Sequence, residues 1–220
     1  MTKIFSDYAK FYNLLYQDKF YKQEAEFVYK WANKPKTILE IGCGTGRHAE
    51  YWCKKAQKII AIDTSKEMLN RAFKYPNIYY YNKPLEKIKF DQDVDSVFAL
   101  FNVMGYYLLE ECLPKLPLKP KGYFIFDVWN ASKFKQQPPV PRLKYFQLGY
   151  RVAVPELISK RLVRIDYIIV MWQQVQVFER HFVQGYFKDD IEKLCKLYNY
   201  KIIDTKSTSS WQLWVKLQKL

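Results

Sequence analysis

The chain has 220 residues, 49% of them hydrophobic and 18% aromatic, which suits one packed core with an accessory layer and excludes a disordered or low-complexity chain. Lys and Arg outnumber Asp and Glu by 36 to 22, a formal net charge of +14 that favours phosphate-bearing or polyanionic partners, yet the lysines are spread out and form no dense nucleic-acid patch. No apolar run approaches the ~20 residues of a membrane span, the first residues lack a signal-peptide core, and Cys43, Cys53, Cys112 and Cys195 lack metal-ligand spacing. The expectation is a cytoplasmic protein with reduced thiols, no metal and no membrane partner, either a monomer or a homodimer.

In chain order, residues 8–31 read as one or two amphipathic helices interrupted near Gln17 and Asp18. Residues 37–41 form a short β-branched run of the buried-strand kind, followed at once by a glycine-rich turn. The pattern then predicts a helix at 48–56, a strand at 58–62, a helix N-capped by Ser65 and reaching about residue 74, and a strand at 77–81. A strand at 95–101, a helix at 106–116 and a strand at 122–128 complete an alternation that argues for a parallel sheet with helices on both faces. Gln137-Pro-Pro-Val-Pro141 breaks the rhythm. Beyond it, residues 143–154, 161–171 and 174–187 alternate polar and apolar, predicting antiparallel strands with one wet face. A helix at 188–198, with Asp189 and Asp190 in its first turn, and strands at 200–205 and 211–217 close the chain.

Glu40-Ile-Gly-Cys-Gly-Thr-Gly46 lies between a predicted strand and a predicted helix, where glycines let a turn tighten and let backbone approach a ligand. Asp63 ends the next strand, 17 residues after Gly46, close to the ~20 expected of a carboxylate that binds ribose hydroxyls. Together they predict an adenosine-containing ligand at the carboxyl ends of the first two strands. The spacing is G-x-G-x-G and not the G-x-G-x-x-G of dinucleotide binders.

This motif resembles the first motif of class I S-adenosylmethionine-dependent methyltransferases, and Ile62-Asp-Thr-Ser-Lys-Glu-Met-Leu69 resembles their second. The resemblance implies a Rossmann-like fold, doubly wound, with a mostly parallel seven-stranded sheet over residues 37–130 and 188–220. An N-terminal helical lid at 1–36 and an antiparallel β insertion at 131–187, capping the substrate, are expected beside it. It implies S-adenosyl-L-methionine as cofactor, with its methionine end in the glycine loop of Gly42, Gly44 and Gly46, its ribose at Asp63 and its adenine near Met68, and with Glu40 and Thr64 as further cofactor-binding residues. Asp95-Ser-Val-Phe-Ala-Leu-Phe-Asn-Val-Met-Gly-Tyr-Tyr107 looks like the family's fourth-strand motif, which puts Phe101, Asn102 and Gly105 near the transferred methyl. Asn82 and Glu86 are the candidates where an acidic residue normally meets the adenine.

Tyr8-Ala-Lys-Phe-Tyr12 and Tyr16-Gln-Asp-Lys-Phe-Tyr21, with Glu24 beyond, are similar to the lid of small-molecule members that N-methylate amino sugars on nucleotide carriers. Tyr8 and Tyr12 are thereby candidates for the catalytic pocket and Tyr21 for the cofactor site. His181, on a predicted insertion strand with one wet face, is the candidate general base, because imidazole is the usual proton acceptor near neutral pH. Asn102 and Asp127, at strand ends where such folds bind ligands, are candidate acceptor contacts. The expected activity is methyl transfer to a small acceptor that can bear phosphate. The alternatives are an RNA or protein methyltransferase, disfavoured by the absence of a base-flipping Asn-Pro-Pro-Tyr tetrapeptide, and a non-catalytic binder of the same cofactor.

Overall fold

The computed structural model describes residues 4–207 and 211–220. Its core is built on strands whose side chains are apolar on both faces. In β1 (Thr37–Ile41) every residue after the first is buried, and β4 (Val94–Ala99) is almost as closed. Such strands need cover on both sides, which parallel pairing with helical crossovers supplies. β1 pairs in parallel with β2 (Lys58–Ile62) and β4, β2 with β3 (Ile78–Tyr81), and β4 with β5 (Leu118–Asn130). After four further strands described below, β11 (Gln212–Lys219) runs antiparallel to β5 and to β10 (Tyr200–Ser207). The order β3-β2-β1-β4-β5-β11-β10 is the expected seven-stranded, mostly parallel sheet, and its direction of winding reverses between β1 and β4.

The two faces carry separate cores. Leu39, Val97, Phe124 and Val215 pack beneath α5 (Leu109–Cys112) and α6 (Lys188–Leu197), while Ile38, Ile59, Phe98 and Trp214 pack with Val28 of α2 (Tyr21–Trp31) and Trp52 of α3 (Ala49–Trp52). α1 (Ala9–Leu15) stands apart from α2. Its Leu15, with Tyr8 ahead of it, packs on Ile169, Met171 and Val177 of the second sheet.

That second sheet is a meander of β6 (Arg142–Phe146), β7 (Gly149–Leu157), β8 (Leu162–Met171) and β9 (Gln174–Tyr186), antiparallel throughout. The predicted single strand at 143–154 is thus two strands, joined at Gln147 and Leu148 where Phe146 pairs with Gly149. The turn between β8 and β9 places Trp172 and Gln173 at φ 47° and 63°, the handedness that two-residue hairpin loops require. Past that turn the ladder slips by one residue, with Val170 opposite Val175 but Ile169 opposite Val177, so Gln176 is an extra residue in β9. The sheet meets the core where Trp129 and Asn130 of β5 pair in parallel with Gly185 and Tyr186 of β9.

Several predicted helices shrink. Residues 48–56 and 65–74 keep one turn each, α3 and α4 (Lys66–Leu69), the second followed by Tyr75-Pro76, where proline pushes its predecessor out of helical geometry. Residues 106–116 hold α5 and a 3-10 turn, Leu113–Lys115, with Pro114 inside it. No helix among the described residues is long and apolar enough to cross a membrane.

At the junction of the two sheets Gly185 has no room for a side chain: a Cβ would lie 2.8 Å from the Phe134 ring and 3.0 Å from the Trp129 carbonyl oxygen. Gly185→Ala is therefore expected to destabilise the chain by about 1–3 kcal/mol in urea unfolding, the usual cost of overpacking a fixed contact. An unchanged unfolding midpoint would show that the junction yields.

Candidate functional site

The site begins where β1 leaves the sheet. Gly42 and Gly46 adopt φ of 64° and 73°, and side chains there would collide, a Cβ at Gly42 lying 2.6 Å from Val103 and one at Gly46 lying 2.4 Å from the Tyr80 hydroxyl. Gly44 is different. Nothing lies within 4 Å of its absent Cβ, so the turn leaves an open cradle there.

Asp63, one residue past β2, holds this turn. Its Oδ2 accepts the Gly44 N–H at 2.8 Å and its Oδ1 the Ser65 N–H at 2.8 Å. Burial pushes the Asp63 pKa up, against the backbone donors that favour its charged form. Ser65 then caps α4 by accepting the Met68 N–H at 3.2 Å, as the sequence predicts, and its hydroxyl donates to the Phe5 carbonyl at 2.7 Å.

A cavity of about 500 Å³ opens from this point. Gly42, Gly44, Asp63, Thr64 and Met68 line it from the rim of the first sheet and Arg142 and Arg151 from the second sheet, together with Tyr12, Phe101, Asn102, Tyr106, Asp127 and Trp211. The volume is in the range of small-ligand sites. Part of its wall is shaped by an unusual turn. Phe101 and Asn102 are consecutive left-handed residues, φ 69° and 59°, a conformation costing side-chain-bearing residues roughly 1–2 kcal/mol each. Asp127 holds it in place, accepting the N–H groups of Phe101 at 2.6 Å and Asn102 at 3.0 Å and the Gln212 side-chain amide at 3.0 Å. Asn102 in turn accepts the Trp129 N–H at 3.1 Å. Burial pushes Asp127 up as well.

Under the glycine turn lies a second group of charges. His48, buried at the start of α3, sets Nε2 2.9 Å from Glu24 of α2 and Nδ1 3.6 Å from Glu40 of β1, while Lys19 pairs with the same Glu24. Burial lowers the His48 pKa, but the two carboxylates outweigh it and the net shift is upward. Glu24 is held below its usual range by His48 and Lys19 despite burial. Fully buried Glu40 goes up and keeps one oxygen, Oε2, without a partner.

The other expected site residues fall in three places. Tyr12 lines the cavity; Tyr21 lines a smaller recess beside Gly42, Thr45 and Arg47. Asn82 is exposed and ties its amide to the Asp63 carbonyl at 3.0 Å, so it is not in the cavity wall. Tyr8 is fully buried, its hydroxyl 3.2 Å from that of Tyr16. His181 is fully buried too, a correction to the expected half-exposed strand: Val177, Glu179, His181 and Val183 all face inward and Phe178, Arg180 and Phe182 outward. Its Nδ1 lies 2.9 Å from the Tyr106 hydroxyl and its Nε2 3.0 Å from Glu179. Tyr106, Glu179, Arg142 and Arg151 escaped the sequence reading. The signal for two of them was parity, since Glu179 shares its register with Val177 and Val183, and Arg151 with Ala153.

Comparison with known proteins bears on these features directly. The methyltransferase-domain family matches residues 38–116, the stretch from β1 to the end of α5 and its 3-10 turn. A dTDP-3-amino-3,4,6-trideoxy-alpha-D-glucopyranose N,N-dimethyltransferase of Streptomyces venezuelae is 25% identical over 136 residues, covering 56% of this chain and 57% of that protein. The chain spans about half the length of the curated relatives it matches. Among solved structures, an S-adenosylmethionine-dependent methyltransferase from Clostridium acetobutylicum superposes with a TM-score of 0.77 at 20% identity, over 96% of this chain and 97% of the other. CalS10 from Micromonospora echinaspora, an amino pentose methyltransferase solved with its cofactor, superposes at 0.75 and 14% identity, over 100% and 99%. Residues 38–116 thus match a methyltransferase domain, and the chain as a whole has the fold of the S-adenosylmethionine-dependent methyltransferases it superposes on.

The charges under the glycine turn set a pH dependence. A raised His48 pKa contributes stability that is complete below the ordinary imidazole value of 6.5 and fades as pH climbs through the folded value, whereas lowered Glu24 contributes above 4.5 and loses its contribution as pH falls. The pair is therefore at full strength between those values. Urea unfolding is expected to show the wild type losing stability above pH 6.5 more steeply than His48→Gln. Parallel curves would remove the ion pair from the account.

Proposed function

We propose that this chain is an S-adenosylmethionine-dependent methyltransferase acting on a small-molecule amine whose remainder carries phosphate, the chemistry of a nucleotide-linked amino sugar. The observation that carries the reading is the contrast between the polar groups that the two sheets bring to the cavity. The rim of the first sheet offers a glycine cradle and a carboxylate held by backbone N–H groups; the second sheet offers two guanidinium groups, Arg142 and Arg151, with no carboxylate in ion-pair contact among the described residues. Arg151 is nearly buried and its Nε has no hydrogen-bond partner. Planar guanidinium groups in such a position suit phosphate oxygens.

The cofactor fits the residues present. The open cradle at Gly44 and the unpartnered Glu40 oxygen suit its methionine end, and the free lone pairs of Asp63 suit ribose hydroxyls, with Thr64 and Met68 beside them. When bound, it supplies an activated methyl group on a sulfonium sulfur. The protein's work is then to align the acceptor nitrogen and keep water out, and such positioning can supply up to ~7–11 kcal/mol of a barrier. Tyr12, Phe101 and Asn102 wall the same cavity. The amino-sugar relative in Streptomyces venezuelae supports the acceptor class.

Asp63→Ala is expected to weaken binding of the cofactor by about 1–3 kcal/mol in calorimetry, as a lost charged hydrogen-bond partner does. Unchanged affinity in a folded variant would sink the ribose assignment. Incubation with methyl-labelled cofactor and a panel of amines, with and without nucleoside diphosphate, is expected to label the phosphate-bearing amines. Arg151→Met should raise KM for them by about 10- to 100-fold, the worth of a charge-assisted bond. Label transfer confined to RNA or protein would replace the reading.

A further inference from the structure

Three side chains behind the cavity wall form a connected line that methyl transfer by alignment alone does not use. Tyr106, on the 3-10 turn after β4, lines the cavity, and its hydroxyl lies 2.9 Å from Nδ1 of His181. Nε2 of His181 lies 3.0 Å from Oε2 of Glu179, two residues earlier on β9. Glu179 also accepts the Phe5 N–H at 2.7 Å and the Tyr8 N–H at 3.0 Å, so the N-terminal segment closes over it. Burial works to raise the Glu179 pKa, but His181 and these two N–H groups overcome it and hold the carboxyl below its usual range.

The direction of each proton follows. An ionised Glu179 only accepts, so Nε2 of His181 carries the hydrogen, and in the neutral ring Nδ1 is then the lone-pair nitrogen. The Tyr106 hydroxyl then donates to Nδ1, and its oxygen keeps lone pairs of its own on the cavity side. Edge-on rings of Phe5 and Tyr167 enclose the imidazole at 4.7 and 4.8 Å. The titratable and charged groups facing this line are Tyr8 and Tyr16 from the N-terminal segment, Tyr167 from β8, Glu179 from β9, and Arg151 from β7, which lies over Tyr167. His181 is fully buried, which makes Tyr106 its route to the cavity.

Resting on the amine reading above, we propose that Tyr106 is a catalytic residue that relieves the incoming ammonium of its proton, with His181 as the proton's destination and Glu179 as the positioning residue. The acceptor N–H bond breaks and leaves its electron pair on nitrogen; that proton bonds to the Tyr106 oxygen while the hydroxyl's own proton passes to Nδ1. The result is a neutral amine facing the methyl donor and an imidazolium against the Glu179 carboxylate. Tyr106 stays a neutral phenol throughout, as its strongly raised pKa requires, since burial opposes a phenolate there. The stored proton returns to solvent by the same hydroxyl once the product has left.

Two measurements test this. The chain has two histidines, so nitrogen NMR of labelled protein, assigned with His48→Gln, reads His181 directly. The expected state is the Nε2–H tautomer, with an Nδ1 resonance that shifts in Tyr106→Phe and with mixed tautomers in Glu179→Gln. An Nδ1–H tautomer, or a pure Nε2–H form surviving Glu179→Gln, overturns the arrangement without any substrate. The second is the pH profile of kcat. Tyr106→Phe should lose about 10²-fold at neutral pH, the ordinary worth of positioned proton transfer, and recover as pH rises toward the acceptor's own amine pKa. A loss of equal size at every pH, or none, overturns the relay while leaving the methyltransferase reading intact. Absence of turnover by the wild type on every amine overturns the amine reading and the relay with it.

Discussion

Two backbone N–H groups converge on the half-buried carboxylate of Asp63, and the cofactor end of the molecule depends on that contact. One N–H belongs to the glycine turn after β1 and the other to the start of α4, so a single side chain sets two loops against each other at the rim of the sheet. The same device recurs. Asp127 grips the Phe101 and Asn102 turn after β4, and Glu179 grips the N-terminal segment at Phe5 and Tyr8. In each case a carboxylate takes donors that regular structure leaves over, and burial away from water makes releasing them costly. Rigid loops on the rim of a sheet are what a preorganised site requires.

These grips also join two sheets of different character. The parallel sheet, apolar on both faces, is held by its helices and leaves only its strand ends for chemistry. The antiparallel meander has one inward face, and on it Arg151, Glu179 and His181 interrupt an apolar pattern. The cavity lies between the strand ends of the first and the inner face of the second. Phe5 connects them through its backbone, donating to Glu179 on one side and accepting from Ser65 on the other.

Much of the first sheet was legible before any coordinates. β1 and β2 occupy the residues their β-branched runs announced, and Asp63 and the glycines stand together as their spacing required. Short helices were not legible, because four-residue segments such as α3 and α4 owe their shape to packing of Trp52, Met68 and Leu69 and not to propensity. In the meander, alternation was visible but its sense was not. A reader seeing Phe178, Arg180 and Phe182 interleaved with Val177, Glu179, His181 and Val183 finds large apolar residues in both sets, and only the contacts with α1 and β5 decide which set goes in. The left-handed pair at Phe101 and Asn102 carried no local signal, since its stability comes from Asp127, 26 and 25 residues away in sequence.

The extra residue at Gln176 gives that alternation its sense. Strands have a side-chain period of two, so one added residue exchanges the faces of everything after it. Paired without the bulge, the same residues would set Phe178, Arg180 and Phe182 opposite Tyr167, Ile165 and Val163, bringing them toward the cavity and turning an acid and an imidazole out to solvent. A single unpaired peptide, about 16 Å along the strand from His181, thus works as a phase shifter for the chemistry, deciding which residues form the wall of the site from a position outside it.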